Sequence, residues 1–380
     1  MKIGGKILEW YEKNKRDLPW RRTANPYLIW ISEVILQQTR VSQGLDYYNR
    51  FIERFPDVRS LAAAGEDELL KLWQGLGYYS RARNLHKAAR YVVEQLGGRI
   101  PDSYEGLLKL KGVGTYTASA ISSICFGEPR AVVDGNVSRV IARISGLKKP
   151  VNSPAGSRAI ASMAEKLMGE ELASGADPGT HNQSMMEFGA LHCLPVSPEC
   201  GNCPLSNMCS ACRNGMVDRI PVRIARPEPV ERWIYYYIFH YNGEVLITKR
   251  GDNDIWRSLY QFPAVESHFR RSDREVTGSM MKELWGNRDH FHEEISDQME
   301  ASEPGVAAPD NMLPQLKIRM ISESIRHRLT HRTIHARFIH AELQSRKDPL
   351  PSGWIRIPFD HLEKYPVPRL IQRYMEVVKF

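Results

Sequence analysis

The hydrophobic rhythm of the chain changes once, near residue 230. Before that point the pattern is helical. The segment "NPYLIWISEVILQQTRV" opens with Asn25 as a cap and Pro26 at the first helical position, and its apolar residues then cover most of a helix circumference, which predicts a central, buried helix. Further helical patterns run through 45–55, 81–96, 115–126, 137–145, 157–168 and 182–191, broken by Gly and Pro. After it, "WIYYYIFH", "EVLITKR" and "TIHARFIHAEL" are β-branched or aromatic runs, the second and third partly alternating, while 274–285 and 367–379 read as helices. Residues 213–232, rich in Pro and Arg, predict an interdomain linker, and the acidic stretch 292–311 predicts a loop. The expected architecture is an all-α domain followed by an α+β domain.

Composition narrows the partner. The chain has 380 residues, 42% hydrophobic and 25% charged, as expected of a globular protein with two cores. No apolar stretch is long enough to span a bilayer and no signal core opens the sequence, so a cytoplasmic monomer without membrane attachment is expected. Residues 226–380 hold 23 basic and 22 acidic side chains, whereas residues 1–225 hold 29 basic and 22 acidic. A basic surplus confined to one domain suits a polyanion such as nucleic acid.

Four cysteines, Cys193, Cys200, Cys203 and Cys209, follow the spacing C-x6-C-x2-C-x5-C. In a reducing compartment such a cluster predicts a metal site rather than disulfides, and the spacing leaves zinc and iron-sulfur both open. Grouping Cys200, Cys203, Cys209 and Cys212 is the alternative, disfavoured because the gap between the pairs is short for a zinc ribbon. Cys125, in an apolar helical run, is expected in the core.

Three local signals carry chemistry. In "LKGVGTYTA", Gly112 and Gly114 precede a helix that begins near Thr115, so backbone N–H groups at its positive end are open to a phosphate; a ligand-free helix-helix turn explains the same string. Glu33 sits among Trp30, Ile31, Val34 and Ile35, surroundings that favour a protonated carboxyl, unless it is paired with Arg21 or Arg83. Asp134 precedes a helix in "VVDGNVSRV" and reads first as an N-cap.

Taken together, "LKGVGTYTA", "VVDGNVSRV" and the four-cysteine loop resemble the helix-hairpin-helix DNA glycosylases that carry a 4Fe-4S cluster. Within them, "LPWR", "WISEVILQQTRV" and "GLGYYSRARNLHKAA" are similar to the adenine DNA glycosylases of the MutY type. The resemblance implies an all-α catalytic domain over 1–212 with a cluster loop at 193–209, the linker at 213–232, and a Nudix-like recognition domain over 233–380. It implies base excision repair of duplex DNA with adenine opposite 8-oxoguanine or guanine, by base flipping. Glu33 would be the general acid at adenine N7 and Asp134 the stabiliser of the oxocarbenium-like sugar. Asn136 would order the site, and Arg21 would lie near the adenine pocket. Tyr116 stands where strand-cutting relatives have a lysine, which implies a monofunctional enzyme leaving an abasic site. Gly112 and Gly114 would bind phosphate, and Gln38 and Tyr78 would wedge into the duplex. The four cysteines would hold a 4Fe-4S cluster. In "RLTHRTIHARF", Thr330 and His331 would inspect 8-oxoguanine, with Leu329 where an aromatic is common. No Nudix metal-binding box is visible near 250–300, so Nudix hydrolysis is not expected. Arg81 and Arg83 are candidate phosphate contacts.

Two competitors share these motifs. A glycosylase for damaged pyrimidines is disfavoured by Tyr116 and by the second domain. A non-catalytic, cluster-bearing DNA-binding protein would have no use for both Glu33 and Asp134.

Overall fold

The computed structural model describes residues 2–225, 227–252, 254–286, 316–346 and 350–378. The acidic stretch 292–311 lies outside them. The chain separates into two compact units, one made of residues 1–64 and 83–226, the other of residues 65–82 and 227–380.

The first unit is helical. In chain order the helices are α1 (Ile3–Asn14), α2 (Pro26–Leu36), α3 (Val41–Arg54), α4 (Val58–Ala63), α5 (Glu66–Leu72), α6 (Ser80–Leu96), α7 (Tyr104–Leu107), α8 (Thr115–Phe126), α9 (Gly135–Ser145), α10 (Pro154–Leu172), α11 (Pro178–Leu191) and α12 (Ser210–Arg213). Of these, α5 and the start of α6 belong to the second unit. Their starts follow local chemistry. Asn25 caps α2 through Tyr27 N–H, Ser153 caps α10 through Gly156 N–H, and Asp177 caps α11 through Thr180 N–H, each followed by Pro at the first turn. As its apolar circumference predicts, α2 is buried from Ile29 to Ile35 and packs on α3 and α8. A second cluster, built from Val137, Val140, Ile141, Ile160, Leu167 and Phe188, joins α9, α10 and α11. Cys125 departs from expectation: it is half-buried on α8, beside exposed Phe126, because the helix ends there at left-handed Gly127.

The second unit is built on one mixed sheet. Its elements are β1 (Val230–Tyr241), β2 (Glu244–Lys249), β3 (Tyr260–Gln261), β4 (Ala264–Ser267), α13 (Asp273–Thr277), α14 (Ser279–Gly286), β5 (Leu316–Ile321), β6 (Ile325–Arg328), β7 (Arg332–Leu343), β8 (Trp354–Pro358) and α15 (Arg369–Val377). The long strands β1 and β7 run parallel from Val230↔Arg332 to His240↔Glu342. Residues 234–239 of β1 are fully buried, so this strand shows a continuous apolar run instead of alternation. One face packs Tyr235, Tyr237 and Phe239 on Val276, Leu284 and Trp285; Phe338 and Tyr374 stack with centroids 3.6 Å apart. Residues 65–82 join this unit because Asp67 accepts from Lys249 Nζ at 2.6 Å and from the Tyr260 hydroxyl at 3.1 Å. No helix among the described residues is long and apolar enough to cross a membrane.

Candidate active site

Helices α2, α8, α9 and α11 surround one cleft, and the sequence-predicted residues Glu33, Tyr116, Asp134, Asn136 and Arg21 all line it. Glu33 projects from mid-α2, 8% exposed, between buried Trp30, Ile31, Val34 and Ile35. Burial pushes its carboxyl up to about 7; the Tyr116 hydroxyl draws it down and the neighbouring Asp134 pushes it up again. A substantial share of it is therefore protonated at neutral pH. The phenol of Tyr116, raised well above its ordinary range by burial and by the two carboxyls, also reaches Met186 Sδ at 3.5 Å.

Asp134 does what an N-cap does and still faces the cleft. Oδ1 accepts from Val137 N–H at 2.6 Å, starting α9, while Oδ2 accepts from Asn136 Nδ2 at 2.9 Å. Burial raises its pKa, and these donors oppose the rise. Asn136 passes the contact on: its Oδ1 accepts from Arg139 Nη2 at 2.9 Å, and Arg139 Nε donates to Cys193 O at 2.8 Å.

Arg21 does not pair with Glu33. Its guanidinium forks onto Glu187, at 2.8 Å to Oε1 and 2.7 Å to Oε2, and Arg16 binds the same carboxylate. Burial alone would raise Glu187, but the bonds from Arg16 and Arg21 hold it at about 2, so it is a fixed anion. Glu187, Arg16 and Gln183 also line the cleft and were not singled out from sequence. A signal existed for Glu187: like Glu33, it is a lone acid inside an apolar helical run, "SMMEFGAL".

At the hairpin between α7 and α8, the two glycines differ. Gly112 has φ 82° and an added Cβ would lie 2.6 Å from Asn84 Cβ, whereas a Cβ on Gly114 meets nothing within 4 Å. Gly112 is thus required by the turn, and Gly114 leaves the N-terminus of α8 uncovered. Gly112→Ala is expected to lower unfolding free energy by more than about 1 kcal/mol. Gly114→Ala should leave stability nearly unchanged while weakening duplex affinity. Denaturant melts and duplex titrations of both variants check this; equal stability losses would contradict it.

Gln38 and Tyr78 share an unusual backbone, with φ 56° and 48°. Non-glycine residues held there are strained, and both are exposed, Tyr78 by 45%. Neither is therefore a packed core side chain. Arg81, expected as a phosphate contact or a solvated side chain, instead braces the Tyr78 turn: it donates to Gly77 O at 3.2 Å and lies over the Trp73 and Tyr78 rings. In the second unit, Thr330 and His331 are the two central residues of the tight turn joining β6 to β7, closed by Leu329 N–H to Arg332 O at 2.8 Å. The Tyr78 and Thr330 hydroxyls share a hydrogen bond.

Cys193, Cys200, Cys203 and Cys209 line a single cavity, together with Cys212. Arg143, buried beside them, donates to Cys193 Sγ at 3.4 Å and to Leu194 O and Pro195 O; Leu205 N–H donates to Cys203 Sγ at 3.4 Å. Burial, then the neighbouring thiols, push Cys200 up; burial raises Cys203 to about 11 and Cys209 as well, against local N–H donors. Soft donors that resist ionisation until a cation arrives, already hydrogen-bonded at sulfur, fit an iron-sulfur centre. Among the described residues, no three His, Cys, Asp or Glu side chains converge tightly enough to hold one metal ion.

Residues 31–161 match the HhH-GPD superfamily of base excision DNA repair proteins, and residues 234–377 match the NUDIX domain. The chain is 44% identical to the adenine DNA glycosylase of Homo sapiens over 216 residues, 54% of this chain and 39% of that one. It is 36% identical to the adenine DNA glycosylase of Buchnera aphidicola subsp. Baizongia pistaciae, covering 68% of this chain and 72% of the relative. A solved thermostable thymine-DNA glycosylase superposes with TM-score 0.51 at 31% identity, over 56% of this chain and 95% of that one. The match spans about two fifths of the human relative and nearly three quarters of the Buchnera one. With Glu33, Tyr116 and Asp134 gathered in the helical unit and a NUDIX match over the sheet unit, the chain belongs to the adenine DNA glycosylase family.

Proposed function

We propose that the protein removes adenine mispaired with 8-oxoguanine or guanine from duplex DNA, leaving an abasic site for base excision repair. The observation that carries this is the pairing, in one cleft, of a carboxyl poised near pH 7 with a second, hydrogen-bonded carboxylate. Glu33 delivers its proton to N7 of the extruded adenine, so the base departs neutral. As the bond between adenine N9 and C1′ breaks, Asp134 faces the developing positive charge, and water adds at C1′, its proton returning to the Glu33 carboxylate. Tyr116 and Asn136 hold the two carboxyls in place. Among the described residues that line the cleft there is no lysine, which supports hydrolysis without a Schiff base.

Catalysis is assigned to 1–212 and lesion reading to 233–380, joined by 213–232. Gly112 and Gly114 receive a phosphate beside the flipped nucleotide, and Gln38 and Tyr78, exposed on strained backbone, fill the duplex around it. Cys193, Cys200, Cys203 and Cys209 hold a 4Fe-4S cluster. When bound, that cluster orders the loop at 193–209 against DNA. Thr330 and His331 read 8-oxoguanine, which differs from guanine by a donor at N7 and an oxygen at C8. The Thr330 hydroxyl accepts from N7–H, and its added methyl restricts rotation relative to serine.

The test of lesion reading is a ratio. Single-turnover adenine release opposite 8-oxoguanine, divided by release opposite guanine, is expected to fall about tenfold in the Thr330→Ala, His331→Ala double variant, the scale of one lost discriminating hydrogen bond. An equal loss on both duplexes would remove these residues from recognition.

A further inference from the structure

Residues 127–134, the connection from α8 to α9, carry neither helix nor strand, yet they deliver Asp134 to the cleft. Their first half is tied to α7: Glu128 accepts from Tyr104 N–H at 2.8 Å, and Arg130 Nη2 donates to Glu105 at 2.8 Å. Their second half is held from α11 by the side chain of Asn182, which is 1% exposed. Its Oδ1 accepts from Val132 N–H at 2.9 Å, while its Nδ2 donates at 2.8 Å both to Arg130 O and to Ser123 Oγ on α8. The place needs an acceptor and a donor side by side, which a carboxamide supplies and a hydrocarbon does not. The helix that carries Asn182 is seated for this task. A Cβ on Gly179 would lie 2.8 Å from Ile124 Cα and one on Gly189 would lie 2.7 Å from Asn136 Cβ, so α11 runs close against α8 and α9 on either side of Asn182.

Resting on the role given to Asp134 above, we propose that Asn182 is a positioning residue for base release: by clamping the connection at Val132, two residues before Asp134, it fixes where that carboxylate stands relative to Glu33 and Tyr116. Asn182 does not line the cleft, so it acts through the main chain. The division of labour is local. The bond from Val137 N–H orients the Asp134 carboxylate, and the clamp on Val132 sets the backbone that carries it. Without the clamp the buried Val132 N–H loses its partner, and the connection can satisfy it only by shifting. A displacement of about 1 Å at a reacting group can cost about 10²-fold in rate.

Single-turnover adenine release from a duplex with adenine opposite 8-oxoguanine tests this in a double-mutant cycle of Asn182 with Asp134, at a temperature where circular dichroism shows every variant folded. N182L keeps the approximate volume and removes every bond of the clamp. In the wild-type background it is expected to slow release about 10- to 100-fold, with duplex affinity within about twofold. In the D134N background the same substitution should change the residual rate by less than about threefold, because the charge it positions is already gone. Should N182L not fold, N182A, which adds no bulk where α11 meets α8, carries the same cycle with the same expectations. Equal losses in both backgrounds would overturn the positioning role, since a general loosening of the domain slows release whatever stands at 134. Release at the wild-type rate in N182L and N182A would overturn it too. Wild-type release by D134N alone would instead overturn the catalytic reading of Asp134 itself.

Discussion

Replacing Glu33 with glutamine is expected to slow adenine release by about 10²- to 10⁴-fold while leaving duplex affinity close to wild type, because the amide keeps the shape of the side chain and lacks the transferable proton. The pH dependence follows from the same carboxyl. In the proposed mechanism the acid form is the active one, and burial raises its pKa from the ordinary 4.5 to about 7. Single-turnover rates should therefore be flat below about 7 and fall about tenfold per pH unit above it. Tyr116→Phe removes a hydrogen bond that draws this pKa down, so the falling limb should move to higher pH. The raised pKa also bears on stability, since the folded state binds a proton that the unfolded state has released. From 4.5 to about 7 the wild type loses stability as pH rises, and E33Q should not. Chemical melts at pH 5 and pH 8 measure that difference. Turnover by E33Q near the wild-type rate would remove Glu33 from the acid role.

Asp134→Asn separates the helix cap that Asp134 makes from the charge proposed to act at the sugar. Asparagine caps a helix as well as aspartate, so α9 should still start at Gly135 and the melting temperature should change little. The charge facing C1′ is lost, and base release should fall by about 10²- to 10³-fold, the cost typical of removing one electrostatic stabiliser. A large drop in melting temperature with a proportionate drop in activity would mean that the cap alone matters. In the structure one carboxylate oxygen of Asp134 caps α9 and the other accepts from Asn136.

How far the sequence reveals all this depends on the kind of signal. A helix such as α2, with a long apolar run and a capped start, is legible because residue pattern and cap agree. Short helices such as α4, α5 and α7 are not, since four to seven residues carry no measurable period. The strand content of the second unit is legible from residue type. The parallel pairing of β1 with β7, about a hundred residues away, is not, because it depends on burial of both faces and not on a local turn. At the cleft, the motif residues Glu33, Tyr116, Asp134 and Asn136 stand in recognisable strings, whereas the residues that support them do not. Glu187 fixes Arg21 from 166 positions away, and no local pattern announces an ion pair at that range. Arg81 looks like any exposed helix arginine until the Trp73 ring and the carbonyl of Gly77 are seen beneath it.

The central claim is that Glu33 and Asp134 hydrolyse adenine from a mispair. It is tested most directly by single-turnover cleavage of end-labelled duplexes carrying adenine opposite 8-oxoguanine, adenine opposite guanine, or thymine glycol opposite adenine, each with and without alkali. The account predicts breaks at adenine only after alkali, fastest opposite 8-oxoguanine. Alkali-independent breaks at thymine glycol would contradict the reading of Tyr116, and no break in any duplex would contradict the catalytic assignment altogether.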